Sequence, residues 1–288
     1  MNPAVKASNP LAGFMRQPKI YIRLPSGGEF WPAGSLEKTE TNEYPVYSMT
    51  AKDELMLKVP DALMNGQALV DIVQHCVPNI KNAWQMPNLD LDVILIAIRI
   101  ATYGEKMSIP VNLGKDIDLE YELDLNLLLD QLMNQISWEP AIPLQPELTV
   151  YVRPLNYKQI TESALKTFET QRLIETASNS SMSDEEKLKI FNESFAKLND
   201  ITLGIIQKSV FAIETSEGST DNPKHIQEFM DNIDKEMYDA VKNRVEEMRN
   251  ANNIKPIEIE TTPEMREKGI TDDVVSIPLS FDPTSFFG

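Results

Sequence analysis

The sequence predicts an α+β fold, in which an N-terminal mixed α/β module with short antiparallel strands is followed by a mainly helical region. Alternation of apolar and polar residues in short segments of the first half predicts the strands. Apolar residues spaced three and four apart in the second half predict amphipathic helices, including a long antiparallel helical hairpin. Three prolines divide the two patterns, and we expect a stiff, extended linker at residues 139–147.

The composition is that of a globular protein whose 288 residues can bury one large core or two ordinary ones. The net charge of −17, from 27 basic and 44 acidic side chains, opposes binding to nucleic acids and to anionic membranes. No apolar run reaches the length of a membrane span, and the N-terminus lacks the apolar core of a signal peptide. The single cysteine, Cys76, excludes an intrachain disulfide. We therefore expect a cytosolic protein.

The N-terminal module is predicted at residues 19–138, after a flexible arm at residues 1–18 that contains three prolines. Its strands are predicted at residues 19–24, 44–50, 106–111 and 116–125. Its helices are predicted at residues 67–77, 89–104 and 126–138. The second of these helices is apolar on nearly all sides, which places it in the middle of a core.

The helical region is predicted at residues 148–253, where a strand at 148–154 precedes a helix at 157–177. A capping box of Ser183 and Glu186 begins a long amphipathic run. Its apolar stripe contains Leu188, Phe191, Phe195, Leu198, Ile205 and Val210. We expect this run to form the long hairpin with a second run from Pro223 to Met248, joined by a turn at residues 216–223. Residues 254–288 are predicted as an extended tail with short strands.

Residues suited to catalysis or metal binding are few. His75 and His225 are the only histidines, and neither lies in a metal-ligand pattern. Cys76 lies on an apolar stripe, as expected of a buried thiol. Motifs for zinc proteases, nucleophilic serine, and nucleotide binding are absent from the sequence. We therefore predict no catalytic residue, no cofactor and no metal, and a protein that is not an enzyme.

The stretch LPSGGEFWPAG, residues 24–34, poses a choice between a phosphate-binding loop and a turn. A phosphate loop needs a lysine and a helix behind its glycines, whereas here Glu29 repels phosphate and Pro32 lacks an amide donor. The stretch therefore predicts a tight turn between strands. Phe30 and Trp31 then either pack in the N-terminal core or bind a partner, and both alternatives remain open.

Two further groups are candidates for partner binding. One face of the strand at 116–125 carries a row of carboxylates, which repel one another and must face water or cations. The row includes Asp116, Asp118, Glu120 and Glu122. Phe286 and Phe287 near the C-terminus either dock on their own domain or insert into a neighbouring protein.

Residues 20–111 contain four motifs in a distinctive order. They are IRLPSGGEFWPAGS, YPVYSMTAKDELML, NGQALVDIVQHCV and DVILIAIRIATYGEKMSI. In this order they resemble the baseplate hub assembly proteins of T-even-type contractile-tailed bacteriophages. Many relatives carry a Cys-x-x-Cys pair in the turn after the last motif, but here Val111 to Gly114 contain no cysteine. The resemblance therefore implies no zinc site in this chain.

The resemblance implies a non-enzymatic protein that helps to build the central hub of the phage baseplate. Its expected partners are other phage hub or tail proteins, with neither nucleic acid nor a membrane span involved. It would act in the host cytoplasm or in the virion tail, as a hub subunit or as a transient assembly factor. Two alternatives remain, namely a cell-wall hydrolase with a carboxylate pair and an acidic mimic that binds a basic partner. The oligomeric state is left open.

Overall fold

The computed structural model describes residues 11–59, 65–112, 118–135, 137–180, 182–267, 270–277, 279 and 286–287. Within these ranges the chain combines α-helices with small antiparallel sheets, which confirms the predicted α+β class. The predicted N-terminal arm lies only partly in this range. There Arg16 is held in place, because its guanidinium donates hydrogen bonds to the carbonyl oxygens of Ser48 and His75.

The first half begins with two paired antiparallel strands, β1 (Pro18–Ile22) and β2 (Tyr44–Tyr47). Three helices follow, namely α1 (Ala51–Met56), α2 (Gln67–Cys76) and α3 (Asn88–Tyr103). Thr50 and Asp53 cap α1 reciprocally. Gly104 follows α3 with φ 96°, a left-handed conformation that L side chains rarely adopt.

Two more strands and a helix complete this half. Strands β3 (Lys106–Asn112) and β4 (Asp118–Asp124) pair in antiparallel register, and α4 (Leu125–Gln135) follows directly. The Asp124 carboxylate accepts hydrogen bonds from the first amides of α4, at Asn126 and Leu127. This short cap lets the chain pass from strand to helix without a loop.

The first hydrophobic cluster surrounds α3. Ten of the sixteen residues of this helix are buried, including Asp90, because neighbouring elements cover it on most sides. The surrounding apolar side chains come from helices α2 and α4, from strand β2 and from residues 24–34, which we call the motif loop. Phe286 and Phe287 also belong to this cluster, so the end of the chain returns to its first half.

A four-stranded antiparallel sheet organises the second half. In the order of the sheet, its strands are β5 (Ala141–Gln145), β6 (Leu148–Val152), β7 (Val210–Thr215) and β8 (Gly218–Thr220). The residues predicted as a linker thus contain β5, which pairs with β6. Pro143 is accommodated because β5 is an edge strand. The proposed division of the chain at residues 139–147 stays a prediction.

The helices of the second half are α5 (Tyr157–Ser178), α6 (Asp184–Ser209), α7 (Pro223–Asn232) and α8 (Lys235–Ala251). The long antiparallel hairpin consists of α5 and α6, which pack along each other. The prediction paired the wrong elements, because residues 216–217 turn between β7 and β8 rather than between two helices. The run from Pro223 to Met248 is also divided, since Ile233 and Asp234 separate α7 from α8.

The second hydrophobic cluster lies between the four-stranded sheet and helices α6, α7 and α8. Its buried members include Val150, Ile206, Ile213, Val241 and Val245. The described part of the C-terminal region pairs β9 (Ile257–Glu260) with β10 (Val274–Ile277), and α9 (Pro263–Glu267) lies between them. The two short strands predicted in the tail are thus present.

Candidate interaction surfaces

The motif loop between β1 and β2 is anchored to α3 by a buried carboxylate. Asp90 is fully buried, and its oxygens accept hydrogen bonds from the Ser26 amide at 2.8 Å and the Ser26 hydroxyl at 2.6 Å. The Trp31 indole donates a third at 2.7 Å. Trp31 is only 8% exposed, so in this structure it packs in the core rather than facing a partner.

The two glycines of this loop are required by its geometry. Gly27 and Gly28 have φ of 60° and 76°, and the Gly27 amide donates to the Leu24 carbonyl at 2.9 Å. A Cβ atom on Gly28 would lie 3.1 Å from the side chain of Leu36. The stretch therefore forms the predicted turn. It lies in a long loop anchored to α3, and does not connect two adjacent strands directly.

The electrostatics of Asp90 reflect its burial. Removal from water raises the pKa of this carboxyl to about 6, although the hydrogen bonds from Ser26 and Trp31 lower it. Burial likewise raises the pKa of Asp92, two residues further along α3, to about 6. Because all hydrogen bonds to Asp90 come from the motif loop, this carboxylate holds the loop in place.

Phe30, the other aromatic of the loop, is half-buried and points towards the second half of the chain. Its ring lies 6.5 Å from the Trp138 ring in an edge-to-face arrangement. Trp138 in turn packs against the second cluster and donates a hydrogen bond to the Val152 carbonyl at 3.0 Å. Phe30 therefore connects the motif loop with the second half, and only its exposed part is open to a partner.

Phe286 and Phe287 dock on their own chain, at 1% and 2% exposure. Arg99 donates a hydrogen bond to the Phe286 carbonyl, and its guanidinium lies 5.4 Å from the Phe286 ring centre. The Tyr103 hydroxyl donates to the Phe287 carbonyl at 2.7 Å. Arg99 and Tyr103 belong to the last motif of the first half. Only the tertiary structure reveals that they hold the end of the chain.

The carboxylate row of β4 is exposed where its side chains are described. Glu120 and Glu122 face solvent, whereas Leu123 is buried, as the alternation predicts. Lys106 on β3 forms an ion pair with Glu122 at 2.5 Å. Asp118 lies in β4, and Asp116 lies outside the described residues. An open groove of about 1360 Å³ runs between β4, α4 and β9, and includes Glu122, Asp124 and Lys255.

The helical hairpin of α5 and α6 exposes large apolar side chains. They are Phe168, Leu173, Leu188, Phe195 and Leu203, with 43–61% of their surface in solvent. By contrast, the residues buried in the two helices are mostly small or polar, such as Thr170, Ala177 and Ser194. The predicted apolar stripe on α6 is therefore covered only in part. Phe191 and Leu198 are half-buried, Leu188 and Phe195 are exposed, and Val210 already belongs to β7.

The Cys76 thiol is buried, whereas His75 and His225 are exposed. Burial, together with the charge of Asp53, raises the pKa of the Cys76 thiol to about 11. The His75 imidazole lies 2.8 Å from the Asp53 carboxylate, which also completes the cap of α1. Within the described ranges, no group of acidic, histidine or cysteine side chains is arranged to hold a metal. The helices described here are also not long and apolar enough to cross a membrane.

An anchored motif loop, exposed carboxylates on β4 and apolar side chains on an outer hairpin are typical of a protein that works through contacts with other proteins. The family model described as T4 bacteriophage base plate protein matches residues 17–271. The chain therefore belongs to this family of phage baseplate proteins. No curated protein and no solved structure matches the chain significantly.

Proposed function

We propose that this chain helps to assemble the hub of a phage baseplate, as a hub subunit or a transient assembly factor, by binding other tail proteins without catalysis. The observation that carries this proposal is the exposure of five large apolar side chains on the α5–α6 hairpin in a member of a baseplate family. Large apolar surfaces on a highly charged protein favour burial against a partner. The exposed Glu120 and Glu122 offer a second, acidic contact for a basic region of a neighbouring protein.

The arrangement of the acidic residues supports binding rather than hydrolysis. A hydrolase with a carboxylate pair needs two acids facing a shared cleft, one of them with a raised pKa. Asp90 has a raised pKa, but it is fully buried and hydrogen-bonded to Ser26 and Trp31. Asp92 also has a raised pKa, but the described residues that line its cavity include no second acid. We therefore assign the Asp90 carboxylate to anchoring the motif loop.

The proposal is tested by purification from infected cells with an affinity tag on this chain. We expect other baseplate proteins to copurify with it, and we expect baseplates to fail to assemble when its gene is inactivated. A chain that is always recovered alone, in cells that form complete baseplates without it, would contradict the proposal. Mass spectrometry of mature tails separates the two roles, because a subunit is present in stoichiometric amount and a transient factor is absent.

A further inference from the structure

One face of the α5–α6 hairpin extends the second hydrophobic cluster beyond the part that the protein itself covers. Leu188 and Phe195 are seven residues apart on α6, and Ile206 follows eleven residues later. Both intervals are close to whole helical turns, so the three side chains lie on one stripe. Ile206 is 1% exposed inside the second cluster, whereas Leu188 and Phe195 are 61% and 58% exposed. The same stripe is thus covered at one end and open at the other.

Helix α5 adds uncharged side chains to the same face. Gln171 follows the buried Thr170 by one residue, and Phe195 follows the buried Ser194 by one. At about 100° per residue, these equal offsets turn Gln171 and Phe195 to the same side of the antiparallel pair. Leu173 follows Thr170 by three residues and lies on the opposite side. We call Leu188, Phe195 and Gln171, with the residues between them on these stripes, the hairpin face.

The hairpin face is uncharged at its centre. Between the apolar side chains the stripes carry the exposed residues Ala164, Gln171, Asn192, Asn199 and Thr202. Helix α5 has three acidic and three basic residues, and α6 has five acidic and four basic, so the hairpin carries a net charge of −1. The whole chain carries −17. This is therefore a surface on which two copies meet with little electrostatic repulsion.

We propose that the hairpin face binds the same face of a second copy of this chain, which forms a two-fold symmetric four-helix contact. In a two-fold contact, residues near the axis face their own counterparts, so a charge there would meet an equal charge. Apolar and amide side chains meet no such repulsion. A basic partner, in contrast, would be drawn to the acidic surface elsewhere on the chain, because the hairpin face offers it no charge.

The size of the face is sufficient for a weak, reversible dimer. The open stripe from Leu188 to Thr202 is about 21 Å long, and two adjacent helices are about 20 Å wide, so the face covers on the order of 400 Å². Two copies would bury about 800 Å², which is below the size of stable specific interfaces and fits a weak, transient contact. We therefore expect dimerisation to depend on protein concentration and to strengthen with salt, because salt screens the repulsion between the two acidic chains.

The proposal rests on the hairpin surface used above, but it is tested on the purified full-length chain alone. Sedimentation equilibrium should show a monomer–dimer equilibrium for the wild type. Phe195→Glu should raise the dissociation constant by about tenfold or more, because it places two carboxylates at the contact. Leu173→Glu is the matched control, since Leu173 is 54% exposed on the other side of the hairpin. This variant should dimerise like the wild type, and circular dichroism should show equal helix content in all three proteins.

Two results would show that the hairpin face does not bind a second copy of the chain. One is a wild type that is monomeric up to its solubility limit, and the other is an equal loss of dimer in Leu173→Glu and Phe195→Glu. If the wild type is monomeric and Phe195→Glu abolishes its copurification with baseplate proteins, the hairpin face binds a different protein. That last result would retain the proposed function and reject only the dimer.

Discussion

The motif-bearing first half and the α5–α6 hairpin are both rich in apolar residues, but they use them in opposite ways. In the first half, most apolar side chains of α3 are buried, and the buried Asp90 carboxylate accepts hydrogen bonds from Ser26 and Trp31. In the hairpin, small and polar residues are buried, while phenylalanines and leucines face solvent. The family motifs of the first half therefore stabilise the fold, and the exposed hairpin is the surface that we propose contacts another chain.

The largest effect on stability is expected at Phe286 and Phe287. Replacing them tests whether these residues belong to the first hydrophobic cluster. Replacing Phe286 and Phe287 together by alanine should lower the free energy of unfolding by about 3 to 5 kcal/mol, because both rings are buried beside Arg99 and Tyr103. Urea unfolding followed by tryptophan fluorescence measures the change. Unchanged stability with lost partner binding would instead show that these rings act in an interface.

A matched pair of substitutions tests the comparison directly. Ile96→Ala in α3 removes a fully buried side chain and should cost about 2 to 5 kcal/mol. Phe195→Ala on the hairpin removes a larger side chain but should change monomer stability by less than about 0.5 kcal/mol, because it is mostly exposed. Both are measured by thermal and urea unfolding at low protein concentration. A similar loss in the two variants would mean that the hairpin is part of a core.

The pH dependence of stability sharpens the role of Asp90. Its folded-state pKa of about 6 lies above the ordinary 3.8, so the folded protein retains a proton that the unfolded chain releases between these values. The contribution of Asp90 to stability is therefore complete below pH 3.8 and decreases as the pH rises to about 6. The shift corresponds to at most about 3 kcal/mol.

Asp90→Asn should remove this contribution while Asp92 retains its own. Urea unfolding of both proteins at several pH values should then show a shallower decrease in the variant over this range. Parallel curves for the two proteins would contradict the raised pKa of Asp90.

The smallest effect on stability is expected at the acidic strand. Glu120→Gln with Glu122→Gln should change the free energy of unfolding by less than about 0.5 kcal/mol, because both side chains are exposed. If these carboxylates bind a basic partner, the double variant should copurify less of it and the remaining binding should depend less on salt. Glu217→Gln, at the exposed turn before β8, is the matched control. Equal recovery of the partner with both variants would assign the contact elsewhere.

Local patterns predicted most elements of this protein, because they depend on neighbouring residues. Alternation predicted β4, and the capping box of Ser183 and Glu186 marked the start of α6 that the structure contains. The apolar composition of α3 indicated its central position. The acidic side of β4 followed from its alternation with Leu123.

Contacts between distant residues could not be predicted in this way. The sequence predicted the wrong packing partner for α6. A turn in a β-hairpin and a turn between two helices are both rich in glycine and asparagine, so only the pairing of β7 with β8 distinguishes the two. Likewise, apolar spacing does not reveal which side of a helix finds a partner within the chain. The exposure of Leu188 and Phe195 therefore depends on how α5 packs against α6, which the spacing alone does not predict.

The sequence by itself determined the α+β class, the turn at Gly27 and Gly28, the acidic strand and the resemblance to phage baseplate proteins. These depend on composition, on local conformation and on the order of motifs. The tertiary structure alone decided that Trp31 hydrogen-bonds Asp90, that Phe286 and Phe287 close the first core, and that the hairpin face stays open. The physical reason is that burial is a property of the whole fold, since it depends on residues far apart in the chain coming together.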